Sequence, residues 1–343
     1  MRAVLLESFR TLPGVRTVPD PEPHEDAVVV RVEATGLCRS DWHAWAGHDA
    51  GVTVPHVPGH EFVGRVVRVG SGVHRVAAGD RITVPFVCGC GDCLQCRAGN
   101  AQVCPRQTQP GFTHWGSFAE LVEVRHADFN AVEVPEDADA RDLVGLGCRF
   151  ATAFRGLHGR ARVRPGERVA VFGCGGVGLS AVMIAAALGA RVIAVDISQD
   201  ALALAERHGA EATVNSTGLE PAEIAARITA GEGTVPVTVE ALGLEATAQA
   251  ALLSLSPGGR HVQIGLFADE PSLPVGRMIA LELSFLGAHG MAAADYPPML
   301  DLVARGQLKP GRLVTRELGL DEVPGALATM AERPWPGVTV ITP

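Results

Sequence analysis

Between Arg168 and Leu266 the chain alternates short β-branched runs with longer runs rich in alanine and leucine: RVAVFG, LSAVMIAAALG, RVIAVD, QDALALAERHG, EIAARITAG, VPVTVEALG, EATAQAALLSLSPGG and RHVQIGL. A strand that is apolar along its whole length must be covered on both faces, and a helix between successive strands lets them run parallel. Glycine closes several of the helical runs, where a left-handed residue ends a helix without strain. The stretch is therefore expected to form one α/β domain, a doubly wound parallel sheet of the Rossmann type.

The turn GCGGVG follows the first strand of this domain and opens its first helix. Gly173, Gly175 and Gly178 give the spacing G-x-G-x-x-G, and with Gly176 and Val177 they would let backbone amides and a helix N-terminus approach a pyrophosphate. The same glycines could serve a tight turn without a ligand; the strand before and the helix after favour the cofactor. Asp196 ends the next strand, placed to accept hydrogen bonds from ribose hydroxyls and to repel a 2'-phosphate. The residues after it, ISQ, offer no arginine, so NAD is expected rather than NADP. Cys174 fits the turn simply as a small residue.

A chain of 343 residues suits two domains and the cleft between them. Its first part differs in texture, with short strands in AVVVRVEAT, EFVGRVVRVG and DRITVPF separated by glycine and proline turns. Beyond about residue 289 come loops, the helical run DYPPMLDLVARGQL and a last strand, GVTVIT, that could rejoin the first domain. Expected boundaries are 1–147 for a β-rich catalytic domain, 148–288 for the nucleotide domain and 289–343 for the return. No apolar run reaches the roughly 18 residues of a membrane span, and MRAVLLESFR is too short in its apolar core for a signal peptide. A cytoplasmic enzyme is expected. The net charge of -9, without any lysine and arginine block, argues against nucleic acid and anionic membranes as partners. A single lysine, Lys309, and a single tyrosine, Tyr296, exclude catalysis through a buried lysine or a tyrosine and lysine pair.

Eight cysteines in such a chain are expected to be thiols. Cys90, Cys93, Cys96 and Cys104 have the spacing C-x2-C-x2-C-x7-C, which can wrap one tetrahedral ion. Four sulfurs leave no corner for a substrate, so that metal is structural. Cys88 is expected to be an ordinary packed thiol. Cys38 in GLCRSDWH, His60 in PGHE and Cys148 in GLGC could supply two thiolates and an imidazole, leaving zinc a fourth position. They are distant in sequence, and His60 alone fits a turn residue as well as a ligand.

Taken together, these residues resemble the zinc-dependent medium-chain alcohol dehydrogenases of the liver and yeast type over the full length of the chain. GHEFVGRVVRVGSGV is similar to their zinc signature, GLCRSDWH to their catalytic loop, CGDCLQC with Cys104 to their structural lobe, and GFTHWGSFAE to a yeast-type stretch. The resemblance implies a GroES-like first domain and two zinc ions, with Cys38, His60 and Cys148 binding the catalytic one and Glu61 behind it as an occasional replacement ligand. It implies that Asp41 fixes the His60 tautomer, that Ser40 takes the alcohol proton, that His43 releases it to solvent, and that Arg39 binds the pyrophosphate of NAD.

Reversible hydride transfer between NAD and an alcohol, aldehyde or ketone is the implied activity, in a homo-oligomer, tetramer before dimer. Two positions depart from the liver pattern: where it has a basic residue near the adenosine ribose and a late arginine, this chain reads DISQDALA and GVTVITP. Trp42, Trp45, Phe86 and Trp115 fall near expected pocket positions, where they could line an apolar pocket or pack a core. Apolar primary or secondary alcohols are the favoured substrates. A polyol, threonine or formaldehyde dehydrogenase, or a cofactor-binding protein without catalysis, are the rivals.

Overall fold

The computed structural model describes residues 1–332 and 335–343. By packing, the chain divides into two units. Met1–Ala151, Gly290–Leu300 and Lys309–Pro343 make the first, and Thr152–His289 with Asp301–Leu308 the second. Relative to the boundaries read from sequence, Cys148–Ala151 group with the first unit, and the return is interrupted, Asp301–Leu308 grouping with the second.

In the second unit six strands form one parallel sheet in the order Ala210–Asn215, Arg191–Asp196, Arg168–Phe172, Val235–Glu240, Leu255–Gln263, Ser284–Gly287. Numbered along the chain this is 3-2-1-4-5-6, the dinucleotide-binding order, whose direction reverses between its first and fourth strands. Val169, Ala170, Val171 and Phe172 are all buried, as a strand covered on both faces requires. The helix Gly176–Ala187 is likewise apolar around most of its circumference and largely buried.

A polar ladder crosses two of these strands. Thr238 stands opposite His261 and Glu240 opposite Gln263. The Gln263 amide donates to Glu240 (2.5 Å) and to the Gly265 carbonyl (2.7 Å), which leaves its oxygen to accept from His261 Nε2 (3.0 Å). His261 Nδ1 then accepts from the Thr238 hydroxyl at 2.9 Å. All four residues are buried, and the ladder satisfies each polar group in turn.

The first unit is built on a mixed sheet in the order Val314–Gly319, Val338–Thr342, Val28–Leu37, Phe62–Val69, Arg81–Thr83, Val132–Glu133, with Leu121–Val124 added to Val28–Leu37. The last strand of the chain pairs antiparallel with Val28–Leu37 through Thr339 to Ile341. Val28, Val30, Val32, Phe62, Val66, Ile82, Val84, Val122 and Val124 pack into one core, and Cys88 belongs to it. Burial raises the Cys88 thiol to about 12, and it donates to the Pro85 carbonyl, as a packed thiol would. No helix among the described residues is long and apolar enough to cross a membrane.

Candidate active site

The strand Val28–Leu37 runs directly into the helix Arg39–Trp45, and Cys38 is the residue between them, extended at φ -118° and ψ 156°. Asp41, in the first turn, folds back so that Oδ2 accepts from Cys38 N–H at 2.9 Å. Its other oxygen accepts from Gly59 N–H (3.1 Å) and His60 Nδ1 (2.9 Å). One buried carboxylate therefore ties the first cysteine to the histidine. Gly59 is needed at the approach: its φ is +99°, and a Cβ there would lie 2.6 Å from Phe118 N. Cys148 follows the short helical turn Val144–Gly147, which the Phe86 N–H pins by donating to Gly147 O at 2.9 Å.

These three local arrangements converge. One ring nitrogen of His60 and the sulfurs of Cys38 and Cys148 lie within 4.8 Å of one another. Asp41 occupies Nδ1, so Nε2 is the nitrogen left for the cluster, and it is buried without a hydrogen bond. A buried imidazole nitrogen with no partner, beside two sulfurs, fits a metal ligand. The two thiols also perturb each other. A hydrogen bond from Cys148, aided by His60 and opposed by burial, holds Cys38 well below the usual thiol range. The same contact, together with burial, pushes Cys148 well above it.

Glu61 stands outside this trio. Its Oε1 accepts from Arg149 N–H and Nε, both at 3.0 Å, and Oε2 is 2.5 Å from Arg149 Nη2. Both residues are buried, and Nη2 also donates to Leu37 O at 3.3 Å. Burial raises the carboxyl, and the Arg149 cation opposes it. The arginine beside the third cysteine is thus tied to the glutamate beside the histidine, bracing the cluster from behind. Sequence reading missed Arg149; its only signal was a cation next to Cys148.

Ser40 Oγ lies 3.8 Å from Cys38 Sγ, and Arg39 stacks over the Trp42 ring at 4.3 Å. His43 is at the surface, with Nδ1 3.0 Å from Nδ1 of His48. Of the expected pocket aromatics, Phe86 meets the His60 ring edge-on at 6.0 Å and packs with Cys148. Phe112, not anticipated from sequence, is nearer at 5.1 Å. Trp42, Trp45 and Trp115 pack instead against the core that includes Leu37, Val57 and Phe118. The Trp45 and Trp115 indoles donate to Thr11 O and Pro55 O.

The second cluster is local. Cys90, Cys93, Cys96 and Cys104 each offer a sulfur within 4.8 Å of the others. Backbone N–H groups already point at these sulfurs: Cys96 N–H at Cys93 (3.4 Å), and Cys90 and Arg106 N–H at Cys104 (3.5 and 3.3 Å). The Cys96 N–H lowers Cys93 to about 7, whereas burial lifts Cys96 to about 12. An ion bound there would have no corner free.

In the second unit the glycine turn has the geometry its sequence requires. Gly173 has φ +89°, and a Cβ on Gly178 would fall 1.6 Å from Gly173 O, so the helix can start only if that residue is glycine. Cys174 N–H donates to Asp196 Oδ2 (2.6 Å) and Ser198 N–H to Oδ1 (2.8 Å), which fixes the carboxylate at the turn with lone pairs to spare. Leu242, at the end of the fourth strand, lies over Gly173.

A dinucleotide-type sheet in the same chain as an open thiolate and imidazole cluster defines a metal-dependent, nucleotide-linked oxidoreductase. Residues 24–136 match the alcohol dehydrogenase GroES-like domain, and residues 176–305 the zinc-binding dehydrogenase domain. An alcohol dehydrogenase of Geobacillus stearothermophilus is 32% identical over 90% of each chain. An NAD-dependent alcohol dehydrogenase of Sulfurisphaera tokodaii is 30% identical over 100% of each. The structure of alcohol dehydrogenase TADH from Thermus sp. ATN1 superposes with a TM-score of 0.90 at 31% identity, covering 100% of this chain and 99% of that one. The chain belongs to the zinc-dependent medium-chain alcohol dehydrogenase family.

Proposed function

We propose that the chain is an NAD-dependent alcohol dehydrogenase that holds two zinc ions and interconverts apolar primary or secondary alcohols with their aldehydes or ketones. The observation that carries this reading is His60: Nδ1 is fixed by Asp41 while Nε2, buried and without a hydrogen bond, is left beside two sulfurs. Cys38, His60 and Cys148 would hold the catalytic ion, and Cys90, Cys93, Cys96 and Cys104 the structural one. When bound, zinc supplies Lewis acidity toward the substrate oxygen, and NAD supplies the hydride acceptor.

The remaining tasks fall to side chains. Asp41 keeps His60 in the tautomer that leaves Nε2 a lone pair. The Ser40 hydroxyl, close to the Cys38 sulfur, both accepts and donates, so it takes the substrate hydroxyl proton and passes it on. His43 carries that proton to solvent. Partial burial and the nearby Arg39 cation hold His43 below the usual histidine range, so near neutral pH it begins as an unprotonated acceptor. Glu61, engaged by Arg149, stays behind the site. Arg39 contacts the pyrophosphate, and Asp196 receives the ribose hydroxyls and repels a 2'-phosphate. Phe86 and Phe112, both packed on the His60 ring, are apolar walls that favour alkyl or benzylic groups over polyols.

A homo-oligomer, tetramer before dimer, agrees with the outer strand Ser284–Gly287, where Phe285 is exposed, and with the helix Val275–Ala280, which buries none of its residues. None of the eight cysteines is in a disulfide, which suits a cytoplasmic protein. The test is NADH absorbance during incubation with linear, benzylic, secondary and polyhydric alcohols, with NAD and NADP side by side. Turnover of apolar alcohols with NAD is expected. Activity confined to polyols would contradict the substrate assignment, and equal use of NADP would contradict the role of Asp196.

A further inference from the structure

Beyond His43 the chain builds a second imidazole into the same surface. The residues before it, Phe9 to Thr11, dock on the end of the helix Arg39–Trp45: Arg10 N–H donates to Trp45 O and Arg10 Nε to Ala46 O, each at 3.0 Å, and Trp45 Nε1 donates to Thr11 O at 2.7 Å. Arg10 is held there with φ +58°, in the left-handed region that side-chain-bearing residues seldom occupy. So anchored, its Nη2 lies 3.4 Å from Nε2 of His48. His48 Nδ1 faces His43 Nδ1, and both rings stand edge-on to Trp42, at 5.0 Å for His43 and 5.4 Å for His48.

We propose that His48 is a second station on the path by which the alcohol proton leaves through His43, and that Arg10 sets its tautomer. The inference rests on the alcohol dehydrogenase reading above. A guanidinium can only donate, so His48 Nε2 accepts from it. Neutral His48 must then carry its proton on Nδ1 and donate it to His43 Nδ1, which leaves the His43 proton on Nε2. This arrangement is the end point of a release; the opposite tautomers, with the His43 proton on Nδ1 and the His48 proton on Nε2, are its start, and proton exchange of the two exposed rings with solvent restores them between turnovers. A proton reaching His43 at Nε2 is matched by departure of the His43 Nδ1 proton across the 3.0 Å contact to His48 Nδ1, and by loss of the His48 Nε2 proton to solvent. Only N–H bonds change, and the total charge of the pair is restored. Arg10 is the charged group beside Nε2. Other charged groups near the pair are Arg39 and the Cys38 sulfur, which act on His43, and Asp49, whose Oδ1 is turned to Gly51 N–H. His48 is thus a positioning and relay residue, acting through His43.

The experiment is the pH dependence of kcat and KM for alcohol oxidation by the wild type, His48→Ala and His48→Gln, each with and without added imidazole. His48 lies at the surface, so both variants are expected to fold. General acid and base groups contribute about 10²-fold or more to a rate; for a relay acting through one, kcat is expected to fall about tenfold below neutral pH, with the alcohol KM little changed. The profile should move to higher pH, and imidazole should restore it. Glutamine keeps a hydrogen bond but carries no transferable proton, so it should behave as alanine does. A wild-type profile in His48→Gln, or variant profiles indifferent to imidazole, would overturn the proposal while leaving the alcohol dehydrogenase reading intact. A wild-type chain that oxidises no alcohol would overturn both.

Discussion

Asp41 receives three hydrogen bonds, from Cys38 N–H, Gly59 N–H and His60 Nδ1, and it is fully buried. An ionised carboxylate satisfies this geometry because both oxygens only accept. In Asp41→Asn the amide nitrogen would face a donor, and either the cap on Cys38 or the bond to His60 must be lost. Loss of such a partner lowers metal affinity by about 10- to 100-fold. Competition with a zinc chelator should show that drop; unchanged affinity would mean that Asp41 does not set the tautomer. The four clustered cysteines were legible in the sequence because one short loop brings them together. Cys38, His60 and Cys148 were legible as a possible zinc set from their residue types, but distant in sequence, and the family resemblance singled them out; their meeting depends on strand pairing and the Asp41 carboxylate. Phe112 left no local signal, because tertiary packing brings it to His60, and Arg149 left only a cation beside Cys148; the contact between His43 and His48 is local, five residues apart at the end of the helix Arg39–Trp45, and was not anticipated.

At the scale of elements, the parallel sheet was the most legible feature because its signal, apolar strands alternating with helices, repeats along the chain. The polar ladder inside it was not. Thr238, His261 and Gln263 read as exceptions to an apolar strand until the register places them side by side. The ladder has a pH signature. Burial lowers His261 from 6.5 to about 4, opposed by its bond to Gln263. Between those values the unfolded chain takes up a proton that the folded chain refuses, so stability is full above the upper value and falls as pH drops through the window. The corresponding loss is of the order of 3 kcal/mol by pH 4. Urea unfolding between pH 4 and 7 should show the slope, and His261→Gln should reduce it by the share of this histidine, since burial lowers His114 to about 4 as well. An unaltered slope in the variant would assign the acid sensitivity elsewhere.

For the whole molecule, the exposed edge strand Ser284–Gly287 and the unburied helix Val275–Ala280 predict association. Light scattering is expected to give a multiple of the chain mass, reduced by Ile279→Asp, whose parent residue is 74% exposed; a monomer at micromolar concentration would contradict that expectation. The proposed function depends on the two candidate metal clusters, the four-sulfur one expected to stabilise its lobe and the three-donor one to serve the reaction. Zinc per chain, measured by plasma mass spectrometry on the wild type and on Cys38→Ser, tests this division most directly. About two ions in the wild type and about one in Cys38→Ser are predicted, the variant retaining its cage but not its open site. A single ion in both proteins would contradict the account.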